Sequence, residues 1–196
     1  MTHVKRRTYQ LGRRAESAEE TRRRIVQATF ELHDEQGISA TTMKQIAERA
    51  GVGIGTVYHH FPTLDDTIMA CGQMVMAANP LPTEVIFSGV PTMKARLVRL
   101  ARTWFDYLDR IGFEMVRTDA GKVAIVRQFV EEEAKHRVAL MRAALAPFAI
   151  DRDLINVAAS LLDIAVYRNL QRAGLTLDQA AEAIADMIHA RLTRKD

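Results

Sequence analysis

Residues 42–61, Thr-Met-Lys-Gln-Ile-Ala-Glu-Arg-Ala-Gly-Val-Gly-Ile-Gly-Thr-Val-Tyr-His-His-Phe, decide how this chain folds. Met43, Ile46, Ala47 and Ala50 recur at the spacing of one helical face. Thr42 and Gln45 fit the pattern in which a hydroxyl and a side chain three residues on satisfy each other's orphan amides. Gly51 supplies the left-handed residue that ends a helix at little steric cost. Beyond it, Val52 and Val57 are placed to pack back on that face, which leaves Gly55, Thr56, Tyr58 and His59 outward. Two short helices about a tight glycine turn form a helix-turn-helix, whose second member is presented to the DNA major groove. The apolar spacing alone fits an ordinary helical hairpin equally well. The flanking segments separate the two readings.

Upstream, residues 24–37 predict an amphipathic helix with Ile25, Ala28, Thr29 and Leu32 on one face and Gly37 as its stop. Downstream, Phe61-Pro62-Thr63-Leu64-Asp65-Asp66 breaks the chain and starts a new helix, with Thr63 and Asp66 as a weaker form of the same capping device. Taken together, residues 24–66 resemble the DNA-binding domain of the TetR/AcrR family of bacterial transcriptional regulators. The resemblance rests on Ile25 to Gly37, Thr41-Thr42, Ile46-Ala47, Ala50-Gly51-Val52, Gly55-Thr56-Val57-Tyr58 and His60-Phe61-Pro62. It implies an all-α chain: a three-helix helix-turn-helix domain followed by a larger helical domain for ligand binding and dimerisation. The expected divisions are a basic flexible arm at residues 1–16, the DNA-binding domain at 17–63 and the helical domain at 64–196.

Within the reading head the residues suit separate tasks. Thr42 can cap its helix and offer a hydroxyl to phosphate, and Lys44 on the same turn can reach phosphate or a guanine edge. Gly53 and Gly55 let the backbone approach closely, while Thr56 and His59 are candidates for base-edge or thymine-methyl contact. Tyr58 and His60, by the family resemblance, look like phosphate clamps that carry no sequence information. The chain also departs from the family pattern. Ile54 stands where a polar or basic residue is usual and offers only an apolar contact. Gly53 replaces a common serine or threonine, Leu64 replaces a lysine, and His33 takes a position usually held by an aromatic core residue.

Charge is unevenly distributed. Residues 1–24 carry a net +5 while the whole chain of 196 residues carries +3, so the positive excess precedes the helix-turn-helix. Such an arm can neutralise phosphates and release counterions, or remain a solvated tail. Lacking apolar periodicity before Ser17, it is expected to be disordered without DNA. Ser17 with Glu20 and Thr176 with Gln179 fit two further capping boxes. The single Cys71, among Met69, Met74 and Met76, excludes an internal disulfide framework and fits a reducing cytoplasm as a buried structural thiol. No apolar stretch approaches the ~20 residues of a membrane span. No metal-ligand spacing, nucleophile elbow or phosphate loop is present, so no catalytic residue, metal or cofactor is expected.

The remainder is less specific. Leu64 to about Ala78 predicts a fourth helix. A strongly amphipathic one follows through Leu97, Leu100, Ala101, Trp104, Phe105, Leu108 and Ile111. Gly112 to Gly121 reads as a connector and Lys122 to Ala146 as a long helix, with the Glu131-Glu132-Glu133 run facing solvent. Leu154 to Leu170 reads as one helix apolar over most of its circumference, and Leu177 to Ile188 as a last one with a single apolar face. The family resemblance implies that this pair joins its counterpart in a homodimer through Leu154, Ala158, Leu161, Ala165, Ala181, Ile184 and Ile188. An intramolecular core competes with that reading. Trp104, Phe105, Leu108, Phe129, Met141 and Tyr167 are candidate linings for a small-molecule effector pocket, or plain core, with Arg117, Asp119, Arg127, His136 and Asp163 as polar options. The function expected is a repressor released from a palindromic double-stranded DNA operator by an effector. The alternative is a helical small-molecule or protein-binding module with a weakened DNA head.

Overall fold

In the computed structural model, which describes residues 3–194 with side chains from residue 16 onward, every regular element is helical. The chain divides into two compact units, Met1–Ala77 and Ala78–Asp196. No helix among the described residues is long and apolar enough to cross a membrane.

The N-terminal unit holds α1 (His3–Gln36), α2 (Met43–Ala50), α3 (Ile54–His60) and the body of α4 (Leu64–Ala78). The predicted stripe of α2, namely Met43, Ile46, Ala47 and Ala50, is buried against Ile25, Ala28 and Leu32 of α1, with Val57 of α3 and Phe61 closing the core. Full burial of side chains such as Ile25, Ile46 and Val57 stabilises by about 1.5–3 kcal/mol each. That is ample to hold a seven-residue helix too short to stand alone. His33 lies in this interior, as a core histidine should. Burial raises the Cys71 thiol to about 11, which keeps it protonated and unreactive near neutrality.

Several boundaries differ from the sequence reading. The segment read as a flexible arm, 1–16, contains the first turns of α1, because between His3 and Arg24 only Gly12 disfavours a helix and no proline stops one. Ser17 is therefore interior rather than a cap, its carbonyl accepting from Thr21 Oγ1 at 2.9 Å. Side chains of the arm's Lys5, Arg6, Arg7, Arg13 and Arg14 lie outside the described residues. The second domain was expected from residue 64, whereas the N-terminal unit closes at Ala77, since Ala70 belongs to its core.

The C-terminal unit runs through α5 (Met93–Arg110), α6 (Phe113–Asp119), α7 (Ala124–Leu145), α8 (Arg152–Ser160), α9 (Ile164–Arg172) and α10 (Leu177–Thr193). Its core forms where α5 packs along α10 and α7. The connector expected at Gly112 to Gly121 is instead α6, entered through a left-handed Gly112 and anchored by buried Phe113. The single helix expected over Leu154 to Leu170 is two. Asp163 accepts from the Ala165 amide at 2.9 Å and so caps α9, and tightened bonds from Leu161 and Leu162 close α8. Both remaining capping boxes form, at Thr42–Gln45 and Thr176–Gln179.

Candidate nucleic-acid interface and effector interior

The α2–α3 turn is built by a left-handed Gly51 (φ 64°), whose amide reaches Glu48 O while Val52 N reaches Ala47 O at 3.0 Å. This 6→1 and 5→2 pair satisfies two of the carbonyls that end α2. Val57 is then fully buried, and helical geometry turns the rest of α3 away from the core. Ile54, at 46% exposure, and Tyr58, at 49%, are open to solvent with Gly53, Gly55 and His59; Thr56 and His60 are half-buried. Neither Gly53 nor Gly55 has a positive φ, and a Cβ on either would meet at most ordinary contact. The fold itself does not demand glycine at these two positions.

On α2, Lys44 is exposed and only loosely paired, 3.8 Å from Glu48. Thr42 is committed to its cap, its hydroxyl donating to Gln45 Oε1 at 2.8 Å and its amide to the same oxygen at 2.9 Å. All nine residues assigned to DNA contact therefore lie on α2, α3 and their leading caps. Tyr58 and His59 project from solvent-facing positions. Leu64, where the family carries lysine, packs against the core.

Residues 25–66 match the family model described as bacterial regulatory proteins, tetR family. Over these residues the chain is similar to the DNA-binding domain of TetR-family regulators. A HTH-type transcriptional regulator of Pseudomonas putida, SrpR, is 42% identical over 74 residues, which cover 38% of this chain and 33% of SrpR. The chain thus spans about a third of the length of that relative. Beyond the matched segment the likeness is one of fold. NalD, the secondary repressor of the MexAB-OprM multidrug efflux pump in Pseudomonas aeruginosa, superposes with a TM-score of 0.62 at 19% identity, over 92% of this chain and all of that one. The multidrug binding protein EbrR, solved with imidazole, gives 0.60 at 22% identity over 90% and 92% of the two chains.

Inside the C-terminal unit, Trp104, Phe105, Leu108, Met141 and Tyr167 come together in one core, fully buried. Phe105 and Tyr167 stack with centroids 4.4 Å apart; burial, aided by the hydrogen bond its hydroxyl donates to Asp109 at 2.7 Å, drives the Tyr167 pKa up. Phe129 is only half-buried and stands outside this cluster. Of the polar options, Arg117 pairs with Asp163, His136 Nε2 lies 2.8 Å from Pro82 O, and Arg127 Nε donates to Ala120 O at 3.4 Å.

The sequence reading missed Glu133 and Arg137. Both are buried on α7, 3.2 Å apart, with Arg137 also 3.5 Å from Asp163. Burial raises the Glu133 carboxyl to about 7; Arg137 pulls against that rise, Asp163 adds to it, and Arg117 opposes it. Of the Glu131-Glu132-Glu133 run, Glu131 and Glu132 face solvent as expected and Glu133 does not. A signal was present: positions 133 and 137 continue the inward spacing of Val126, Val130, Leu140 and Ala144.

Four of the residues expected at a dimer face, Ala158, Ala181, Ile184 and Ile188, are sealed in the chain's own core and unavailable to a partner. The competing intramolecular reading holds for them. Leu154 and Leu161 are half-buried and Ala165 is exposed. On α8 to α10 the open large apolar positions are Val157 (61%) on α8 and Met187 (51%) on α10. Leu154, Val157 and Leu161 form one stripe; Ala183, Met187 and Ala190 form another.

Proposed function

We propose that this chain is a sequence-specific, dimeric DNA-binding transcriptional regulator that releases its operator when a small molecule binds the C-terminal unit. One observation carries the reading. The face of α3 bearing Gly53, Ile54, Gly55, Tyr58 and His59 is open, while Val57 fixes the helix from behind. Glycines that no neighbour within the chain requires, at the leading turn of an exposed helix, suit close backbone approach to a duplex. In this arrangement Tyr58, His60, Thr42 and Lys44 hold phosphates, and Ile54, Thr56 and His59 face base edges. Ile54 selects for a thymine methyl by apolar contact.

Dimerisation uses the exposed stripes of α8 and α10 and yields two reading heads about one DNA turn, ~34–36 Å, apart on a near-palindromic site. The effector reading draws on the printed roles of proteins sharing the fold, a multidrug binding protein and a repressor of an efflux pump. It also draws on Trp104 Nε1 of α5, a buried polar atom without a hydrogen-bond partner. Repression is the mode that an effector of this kind relieves. The effector must bind the DNA-incompetent form better than the competent one, since equal affinity shifts nothing.

The test is a titration of the full chain with a duplex from upstream of its own gene and with a scrambled duplex, at several salt concentrations. A regulator binds the first at least about a thousandfold more tightly, with affinity falling steeply as salt rises. Equal, weak binding to both duplexes would favour the ligand-binding module with an impaired head.

A further inference from the structure

The basic run Arg22-Arg23-Arg24 reads from sequence as part of a phosphate-binding arm, and the structure engages every one of its guanidiniums within the protein. Arg23 pairs with Glu20 at 2.8 Å on its own helix. The guanidinium carbon of Arg22 lies 4.7 Å from the centroid of the Phe61 ring, the residue that ends α3. Arg24 Nη2 donates to two carbonyls at the α2–α3 turn, Ala50 O and, at 3.2 Å, Gly51 O.

We propose that Arg22 and Arg24 are positioning residues that hold the reading helix α3 from both ends, rather than phosphate contacts. The Gly51 and Val52 amides already satisfy the Glu48 and Ala47 carbonyls, and Arg24 takes two of the acceptors further along, Ala50 O and Gly51 O. A cation there also meets the negative end of the α2 dipole. Approach is close: a Cβ on Gly51 would stand 3.1 Å from Arg24 Nη2. At the other end, Arg22 covers the ring of buried Phe61, whose amide bonds Val57 O at 2.8 Å and closes α3. A second tie braces the same turn, Arg49 gripping Glu35 of α1 through two bonds of 2.8 and 2.6 Å. The angle at which α3 leaves the core is thus set by arginines on α1 and α2. The inference rests on the DNA-binding reading for its consequence, but not for its geometry.

The experiment compares wild type, Arg24→Gln and Arg24→Lys as full chains. Hydrogen exchange is followed at the Gly51 and Val52 amides, together with affinity for the upstream duplex against salt. Positioning predicts exchange accelerated about tenfold at those amides in Arg24→Gln. Operator affinity falls, while the slope of log affinity on log salt stays as in wild type. Lysine, with one ammonium in place of a planar fork, restores neither fully. Unchanged exchange overturns the proposal, whatever the DNA results. So does a slope lowered by about one with full rescue by lysine, the signature of a phosphate contact. If wild type itself shows no operator preference, the regulator reading fails while the exchange comparison still decides the clamp. Should Arg24→Gln not fold, Arg24→Lys carries the same exchange comparison, and wild-type exchange in it overturns the claim.

Discussion

At the scale of single residues, exposure separates groups kept for a partner from groups kept for the fold. Lys44 is exposed with only a loose intrahelical pair, and such pairs contribute little to stability. Lys44→Ala should leave the unfolding midpoint unchanged, weaken operator binding, and lower the salt slope by about one. A gel-shift series with the wild-type slope would strike Lys44 from the contacts. Glu133 poses the opposite case. Burial raises its carboxyl to about 7 from 4.5, so between those values the folded chain holds a proton that the unfolded chain has released. Its contribution to stability is intact below about pH 4.5 and is lost as pH rises through about 7, by up to about 3 kcal/mol. Glu133→Gln should flatten that decline, so that urea midpoints of variant and wild type diverge progressively between pH 5 and pH 8. Parallel curves across that interval would mean that Glu133 ionises in the folded state as readily as in the unfolded one.

Among the elements, α2 and the turn into α3 were legible because every local signal agreed: a capping box, a periodic stripe and a left-handed glycine. The same legibility extended to the outward set on α3, which follows from burying Val57. Elsewhere the deciding information was not local. The α8–α9 break at Asp163 is hidden in a continuous apolar run, and there an aspartate reads as one polar position. What fixes it is the pairing of Asp163 with Arg117 and Arg137 from other helices. Glycines at both ends of α6 mimic a loop, and seven residues cannot advertise a helix held by buried Phe113 and by ties to other helices such as Arg117–Asp163. Four of the expected dimer residues, Ala158, Ala181, Ile184 and Ile188, are buried instead, and the reason is related: an apolar face does not say whether its cover is the same chain or a second one. Ile184 is 1% exposed, so Ile184→Glu buries a charge and should unfold the C-terminal unit by 3 kcal/mol or more, seen as lost helical signal on mild heating. Met187→Glu and Val157→Glu should preserve helicity and sediment as monomers. Dimers from both would place the interface on another surface.

For the whole molecule, the proposed regulator divides specificity and control between the two units. Each reading head is small, with one seven-residue helix to enter the groove, and the apolar Ile54 at its start limits direct readout on each half-site. On the proposed reading, affinity of regulatory strength comes from two heads acting together, held apart by the C-terminal units of a two-fold dimer. Half-site spacing then becomes a geometric quantity that the protein enforces. Inserting about five base pairs at the operator centre turns the second half-site to the opposite side of the duplex, roughly half of the 10–10.5 base-pair repeat. Binding should then fall to the level of an isolated half-site, while a point change in one half-site should cost only ~1–3 kcal/mol. Retention of full affinity after such an insertion, measured by fluorescence anisotropy on matched duplexes, would mean that the heads bind independently. An effector acting through their separation would then have nothing to act upon.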